Sequence, residues 1–232
     1  MSLNFDERPS DSPFVERIWR SHSQRAGSFI SISAIHWEMV VTKYQGRTTL
    51  TVRGPETKAT LLDYPAGAEW FGIDFKLGTF MPDLPPASLR DFRDVNLPEA
   101  TSQSFWLCGS AWKFPRYENV DAFVDRLVRK GLLVRDPVVE AVRQGQPQDL
   151  SLRAVQYRFL QATGLTHKVV QQIERARHAA ALLEQGGSIP DAVYEAGYFD
   201  QPHLTRSLKR FLGLTPAQIV GTQQFIGLSK AK

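Results

Sequence analysis

Large apolar residues recur along this chain with two different periods, and each period predicts a different kind of element. Across residues 29–78 the period is short. FISISAI alternates large apolar with small polar residues, a period of two that predicts a strand. EMVVTKY and RTTLTVR flank Gln45-Gly46, a short glycine-containing turn, which predicts a β-hairpin. Gly54-Pro55-Glu56 is a further turn, TKATLLDY is the next candidate strand, and EWFGIDFKLG follows a break at Pro65-Ala66-Gly67. Five short strands at roughly regular spacing predict a small antiparallel sandwich or barrel. Residues 1–13 are polar and proline-bearing and are expected to be mobile. MPDLPP, at 81–86, is expected as a loop, because proline cannot donate to a sheet ladder. FWLCGSAWKFP, at 105–115, is aromatic-rich and is expected to close the barrel or to meet the next domain.

Further along, the apolar spacing becomes helical. Val120, Phe123, Val124, Leu127 and Val128 share a face of VDAFVDRLVRKG, which Gly131 ends. Asp136-Pro137 opens a second, short helix that stops at Gly145, and Gln146-Pro147-Gln148 is a break. Ser151 is the expected cap of a third helix, spanning about residues 151–162. In it Leu152, Val155 and Phe159 are expected to face inward, with Arg153, Gln156 and Tyr157 on another face. Thr166 caps a long helix from about His167 to Gln185, with an inner stripe of Val169, Ile173, Ala176, Ala180 and Leu183. Ser188, Pro190 and Asp191 form the next helix start: a hydroxyl cap, a first-turn proline and a reciprocating carboxylate. Ile189, Ala192, Val193 and Ala196 follow at helical spacing, and Gly197 can end the helix in a left-handed conformation. Tyr198 and Phe199 fill a turn, and Asp200 caps a last helix over 201–212. Its inner face carries Leu204, Leu208 and Phe211. Gln201, His203, Arg206, Lys209 and Arg210 lie largely off that face.

Composition narrows the classes. A chain of 232 residues holds one large domain or two small ones. No apolar run approaches the roughly 20 residues that cross a bilayer, so no membrane partner is expected. MSLNFDERPSDSP carries acidic residues and lacks an apolar core, so it does not read as a secretory signal and cytoplasm is the expected location. Cys108 stands alone, which excludes an internal disulfide and a cysteine-built zinc site; a buried, inert thiol is expected. Charge is uneven: residues 1–114 hold 12 Lys/Arg against 13 Asp/Glu, whereas residues 115–232 hold 16 against 11. A basic C-terminal half suits a polyanion.

Catalytic chemistry finds little support. His22 and His36 stand apart from any cluster at metal-ligand spacing. Gly109-Ser110-Ala111 is not a nucleophile elbow, and no glycine-rich loop matches a phosphate or dinucleotide fingerprint. Glu38, Glu69 and Asp74 show no pairing along the chain. No catalytic residue, metal ligand or cofactor is therefore expected. Trp37, Trp70, Phe71, Phe75, Trp106 and Trp112 are candidates for lining a ligand cavity, but aromatics dominate burial and plain core is the expected role.

The run GYFDQPHLTRSLKRFLGLTPAQI resembles the C-terminal signature of the AraC/XylS family of transcription regulators. There a glycine-aromatic turn leads into a recognition helix and closes on a Gly-x-Thr/Ser-Pro element, here Gly213 to Pro216. SLRAVQYRFLQATGLTHKVVQQIERARHAAALL is similar to the family's first recognition helix and linker helix. The resemblance covers roughly the last hundred residues and only the outline of the N-terminal half. It departs at QGQPQD, longer than a minimal helix-turn-helix turn, and at Tyr157, where a basic residue is frequent in relatives. A tyrosine can touch phosphate or a thymine methyl but loses guanidinium readout.

The resemblance implies an α+β protein in two domains. A β-rich sensor or dimerisation domain over 1–114 precedes a double helix-turn-helix domain over 115–232. It implies a sequence-specific regulator that inserts helices 151–162 and 201–212 into adjacent major-groove segments of double-stranded DNA. About 18 residues at 1.5 Å each make the linker helix a rod of roughly 27 Å, comparable to the ~34 Å between groove segments on one side of the duplex. Arg153, Gln156 and Tyr157 in one segment, and Gln201, His203, Arg206, Lys209 and Arg210 in the next, are the expected DNA-binding residues, since Arg and Gln pair with guanine and adenine edges. Arg175 and Arg177 are candidates for phosphate contacts or for a solvated face. A small-molecule effector and a homodimer are candidate partners. The alternative is a β-barrel small-molecule-binding protein or enzyme with a helical appendage.

Overall fold

The hairpin over 38–53 forms as its alternation predicts. Gln45 and Gly46 both take positive φ (49° and 75°), the geometry that lets a two-residue turn follow the strand twist. Strands β4 (Glu38–Tyr44) and β5 (Arg47–Arg53) pair in continuous register from Glu38↔Arg53 to Tyr44↔Arg47. The structure is a computed structural model that describes residues 3–221. Antiparallel strands fill residues 3–113 and helices fill 137–221, so the chain is α+β.

The other strands are β1 (Leu3–Arg8), β2 (Val15–Ser23), β3 (Gly27–Ser31), β6 (Thr60–Tyr64), β7 (Glu69–Phe75), β8 (Thr79–Phe80), β9 (Val95–Asn96), β10 (Glu99–Thr101), β11 (Ser104–Leu107), β12 (Ser110–Lys113) and β13 (Val134–Arg135). A six-stranded antiparallel sheet runs β1-β2-β7-β4-β5-β9, a three-stranded sheet runs β10-β11-β12, and β3 pairs with β6. Helices α1 (Pro86–Leu89), α2 (Val120–Arg129), α3 (Pro137–Arg143) and α4 (Leu152–Thr163) are followed by α5 (His167–Glu184), α6 (Ile189–Glu195), α7 (Gln201–Leu212) and α8 (Pro216–Gly221).

Two compact units result. The described part of the first covers 3–27, 36–55 and 63–166; that of the second covers 28–35, 56–62 and 167–221. In the first, Ile18, Met39, Val41, Leu50, Val52 and Ile73 fill one face of the large sheet, with Phe105 and Trp112 from β11 and β12 and Phe123 and Leu127 from α2 in the same core. Trp37 stacks on Phe75 at 4.1 Å and donates its Nε1–H to the Thr79 carbonyl at 2.6 Å. Helix α4 packs on α1 and α3. It ends at Gly164 (φ 73°), where a Cβ would lie 2.8 Å from the Pro86 backbone. In the second unit α5 packs against α6, α7 and α8, and its buried stripe is Val170, Ile173, Ala176, Ala179, Ala180 and Leu183.

Several expectations need correction. Residues 3–8 are not a mobile tail: β1 pairs with β2 from Leu3↔Ser23 to Arg8↔Ile18. Both strands lack a clean apolar alternation. β1 is an edge strand rich in polar residues, and a register shift between Val15 and Arg17 breaks the phase of β2. Leu152 is 73% exposed: the buried residues of α4 are Phe159, Ala162 and Thr163, with Val155 half-buried, and all lie beyond its first turn or at its edge. Val170 takes the buried position expected of Val169. Cys108 is exposed, at the turn joining β11 to β12 with φ of 46°. Partial loss of water around the sulfur, and the bond it donates to the Asp83 carboxylate, push its thiol pKa up.

Candidate nucleic-acid interface

The α6–α7 pair is built by its caps. Ser188 Oγ accepts from the Asp191 amide (3.2 Å) and donates to the Asp191 carboxylate, so that carboxylate reciprocates through the hydroxyl and not the backbone. Gly197 (φ 67°) turns the chain, with the Tyr198 amide bonded to the Val193 carbonyl at 2.8 Å. Asp200 accepts from the His203 amide at 2.7 Å and starts α7. Between the helices Tyr198 is 6% exposed, and its hydroxyl shares a 2.8 Å bond with Ser207 on α7. The Arg175 guanidinium lies 4.6 Å from the Tyr198 ring centroid, and the His203 imidazole meets the ring edge-on at 5.0 Å. The neighbouring Phe199 is 91% exposed.

Helix α7 buries Leu204, Ser207, Leu208, Phe211 and Leu212. Gln201, Arg206, Lys209 and Arg210 are exposed, while His203 is half-buried against Tyr198. Arg206, Lys209 and Arg210 have no carboxylate partner among the described residues, although Arg210 lies 5.0 Å from the Phe211 ring centroid. In the first unit Arg153, Gln156 and Tyr157 share the exposed face of α4, Tyr157 at 64%. Ser151 caps this helix, accepting from the Ala154 amide at 3.2 Å. The adjacent Arg158 turns the other way. It forks onto Asp136, the N-cap of α3, with bonds of 2.9 and 2.7 Å, and so locks α4 to α3. Sequence reasoning missed that role; an Asp-Pro helix start with an arginine 22 residues on is too weak a signal.

Arg175 and Arg177 are only half-exposed and are held inside the second unit. Arg177 donates to the Ser33 carbonyl at 2.7 Å, and Arg175 covers Tyr198. The carboxylates that looked isolated are paired across the sheet: Glu38 with Arg53, Glu69 with Lys43, and Asp74 with Arg17. Asp74 is fully buried and also accepts from Trp19 Nε1 (2.9 Å), with His36 Nε2 at 3.2 Å. Burial alone would raise its pKa, but His36 and Arg17 outweigh that and hold the carboxyl well below its usual range. Trp37, Phe71, Phe75 and Trp112 are core, whereas Trp106 is 47% exposed. Trp70 and Phe71 edge a cleft of about 1000 Å³ in the first unit, whose lining includes Arg20, Lys43, Lys113 and Arg116. Among the described residues no group of His, Cys, Asp or Glu is placed to hold a metal, and no helix is long and apolar enough to cross a membrane.

Capped helices joined by tight turns, with exposed Arg, Gln and Lys on their outer faces, define a helix-turn-helix protein. A family model described as a helix-turn-helix domain matches residues 149–221, from just before α4 to the end of α8. That region is a helix-turn-helix domain, which supports a DNA-binding transcription regulator. No curated protein and no solved structure matches the chain.

Proposed function

We propose that α4 and α7 are the recognition helices and that they read two adjacent major-groove segments of one operator. Arg153 and Gln156 supply base contacts in one segment, with Tyr157 on phosphate or a thymine methyl. Gln201, His203 and Arg206 supply them in the other, and Lys209 and Arg210 hold phosphates. The observation that carries this reading is the exposed, uncompensated cation set on α7, in a chain where Arg17, Arg53 and Arg158 are all bonded to carboxylates. A cation kept out of ion pairs is free to replace counterions along DNA. Residues 1–114 serve in this reading as the sensory and dimerising part, and 115–232 as the DNA-binding part. The cleft in the first unit is the place we assign to a small effector; its lining mixes Arg20, Lys43, Lys113 and Arg116 with Asp6, Glu69 and Glu118, so its charge selects neither an anion nor a cation.

Selection of bound sites from random DNA, followed by titration at two salt concentrations, tests the assignment. Arg206→Ala is expected to relax preference at one base position, at a cost of about 1–3 kcal/mol. Lys209→Ala is expected to weaken binding on all sequences and lower the salt slope by about one. An unchanged preference in Arg206→Ala would remove that residue from base readout.

A further inference from the structure

Two segments from the first third of the chain, 28–35 and 56–62, belong to the same compact unit as α5–α8. They form a ribbon. β3 pairs with β6, and Ala34 and Glu56 exchange backbone bonds of 3.0 and 2.9 Å. The ribbon meets the last turn of α7 through its backbone. The Ser33 amide donates to the Phe211 carbonyl at 2.8 Å, and the Ala59 amide donates to the Arg210 carbonyl at 2.7 Å. The final carbonyls of a helix have no partner inside it, so these two amides cap α7 from outside. The arrangement is close-packed and reinforced. Ser33 is fully buried, and its carbonyl receives Arg177 from α5. Glu56 is 6% exposed and accepts from the Ser31 hydroxyl at 3.1 Å. Gly213 ends α7 with φ of 77°, and a Cβ there would lie 2.8 Å from Ile30 and 3.3 Å from Ala59.

We propose that this ribbon is the positioning element of the second recognition helix. Its two amides fix where α7 ends, and therefore where Gln201, Arg206 and Lys209 are presented. The ribbon is covalently continuous with β4, which follows residue 35, and with β5, which precedes residue 56. A rearrangement of strand pairing in the N-terminal half, such as an effector would cause, then alters reading of the α7 segment without touching DNA. The inference rests on α7 being a recognition helix, as proposed above.

The test uses the full chain with Ala59→Pro, which removes one capping amide, and Ile30→Ala, a milder change that loosens the packing on Gly213. Hydrogen exchange is followed by mass spectrometry, and base preference by selection from random DNA. Loss of one capping bond is expected to speed exchange of amides 209–213 about fivefold, while those of α4 stay unchanged. The base preference is expected to flatten at the positions that Arg206→Ala also affects. Unchanged exchange at 209–213 in both variants overturns the proposal. So does faster exchange with the parent chain's full base preference. If Arg206→Ala itself leaves preference unaltered, the reading of α7 as a recognition helix falls instead, and the exchange result alone decides whether the ribbon holds the helix.

Discussion

The bond between Tyr198 and Ser207 allows a quantitative test of how the α6–α7 pair is held. Both residues are nearly buried, at 6% and 9% exposure, and their hydroxyls lie 2.8 Å apart. Ser207→Ala strands the buried hydroxyl of Tyr198, and leaving such a group unsatisfied costs about 1–3 kcal/mol. Tyr198→Phe keeps the ring, its cation–π partner and its edge contact, and strands only the serine hydroxyl. A helical serine can turn to the carbonyl four residues back, here His203, so this change is expected to cost only about 0.5–1 kcal/mol. The double variant removes both hydroxyls and leaves nothing unsatisfied. Its cost should therefore fall short of the sum of the singles by about 1 kcal/mol. With two compact units in the chain, a global unfolding midpoint mixes transitions. The suitable assay is native-state hydrogen exchange at the amides of Leu204 and Leu208, which reports opening of this pair locally. Additive single effects, or a larger loss in Tyr198→Phe than in Ser207→Ala, would refute the reasoning.

Asp74→Ala is expected to destabilise the first unit by about 3 kcal/mol, at the low end for breaking a buried ion pair because Arg17 keeps some contact with water. The sign with pH follows from the lowered pKa of Asp74. Its contribution is complete above the unfolded carboxyl value near 3.9 and is lost as pH falls through the folded value, so Asp74→Asn should flatten only the acid limb of urea midpoints read by tryptophan fluorescence from pH 7 down to 2, a signal confined to the first unit because it holds all five tryptophans. Gly72→Ala puts a Cβ 2.2 Å from the Trp19 ring, which must then leave its stack on Phe5 and its bond to Asp74. An overpacking cost of about 1–3 kcal/mol and altered tryptophan fluorescence are expected, read from a thermal melt of the variant followed by tryptophan fluorescence, which reports the first unit.

The best-read parts of this chain are those whose causes lie close together in sequence. Ser188, Gly197 and Asp200 act on amides a few residues away, so both ends of α6 and the start of α7 can be written from local rules. The 38–53 hairpin is legible for the same reason. What was not legible depends on distant partners. Asp74 meets Arg17 from 57 residues away, and nothing along the chain marks that pairing. Leu152 satisfies a helical apolar spacing, yet burial depends on which turns of α4 meet a neighbouring element, and Leu152 is left exposed. Cys108 has the composition of a core residue but occupies a hairpin turn. The two segments that join α5–α8 read as ordinary strands of the β-rich half, because alternation predicts a strand without saying what it packs against.

The ribbon has a practical consequence for protein engineering. Regulators are often rewired by grafting the reader of one onto the sensor of another, with the splice placed in the stretch between them. Any splice between residues 62 and 167 of this chain discards Ser33 and Ala59, and with them the amides that close α7. A working hybrid should retain or rebuild residues 28–35 and 56–62 along with the C-terminal helices. The compact unit that carries α7 is built from three stretches of chain, not from the C-terminal helices alone.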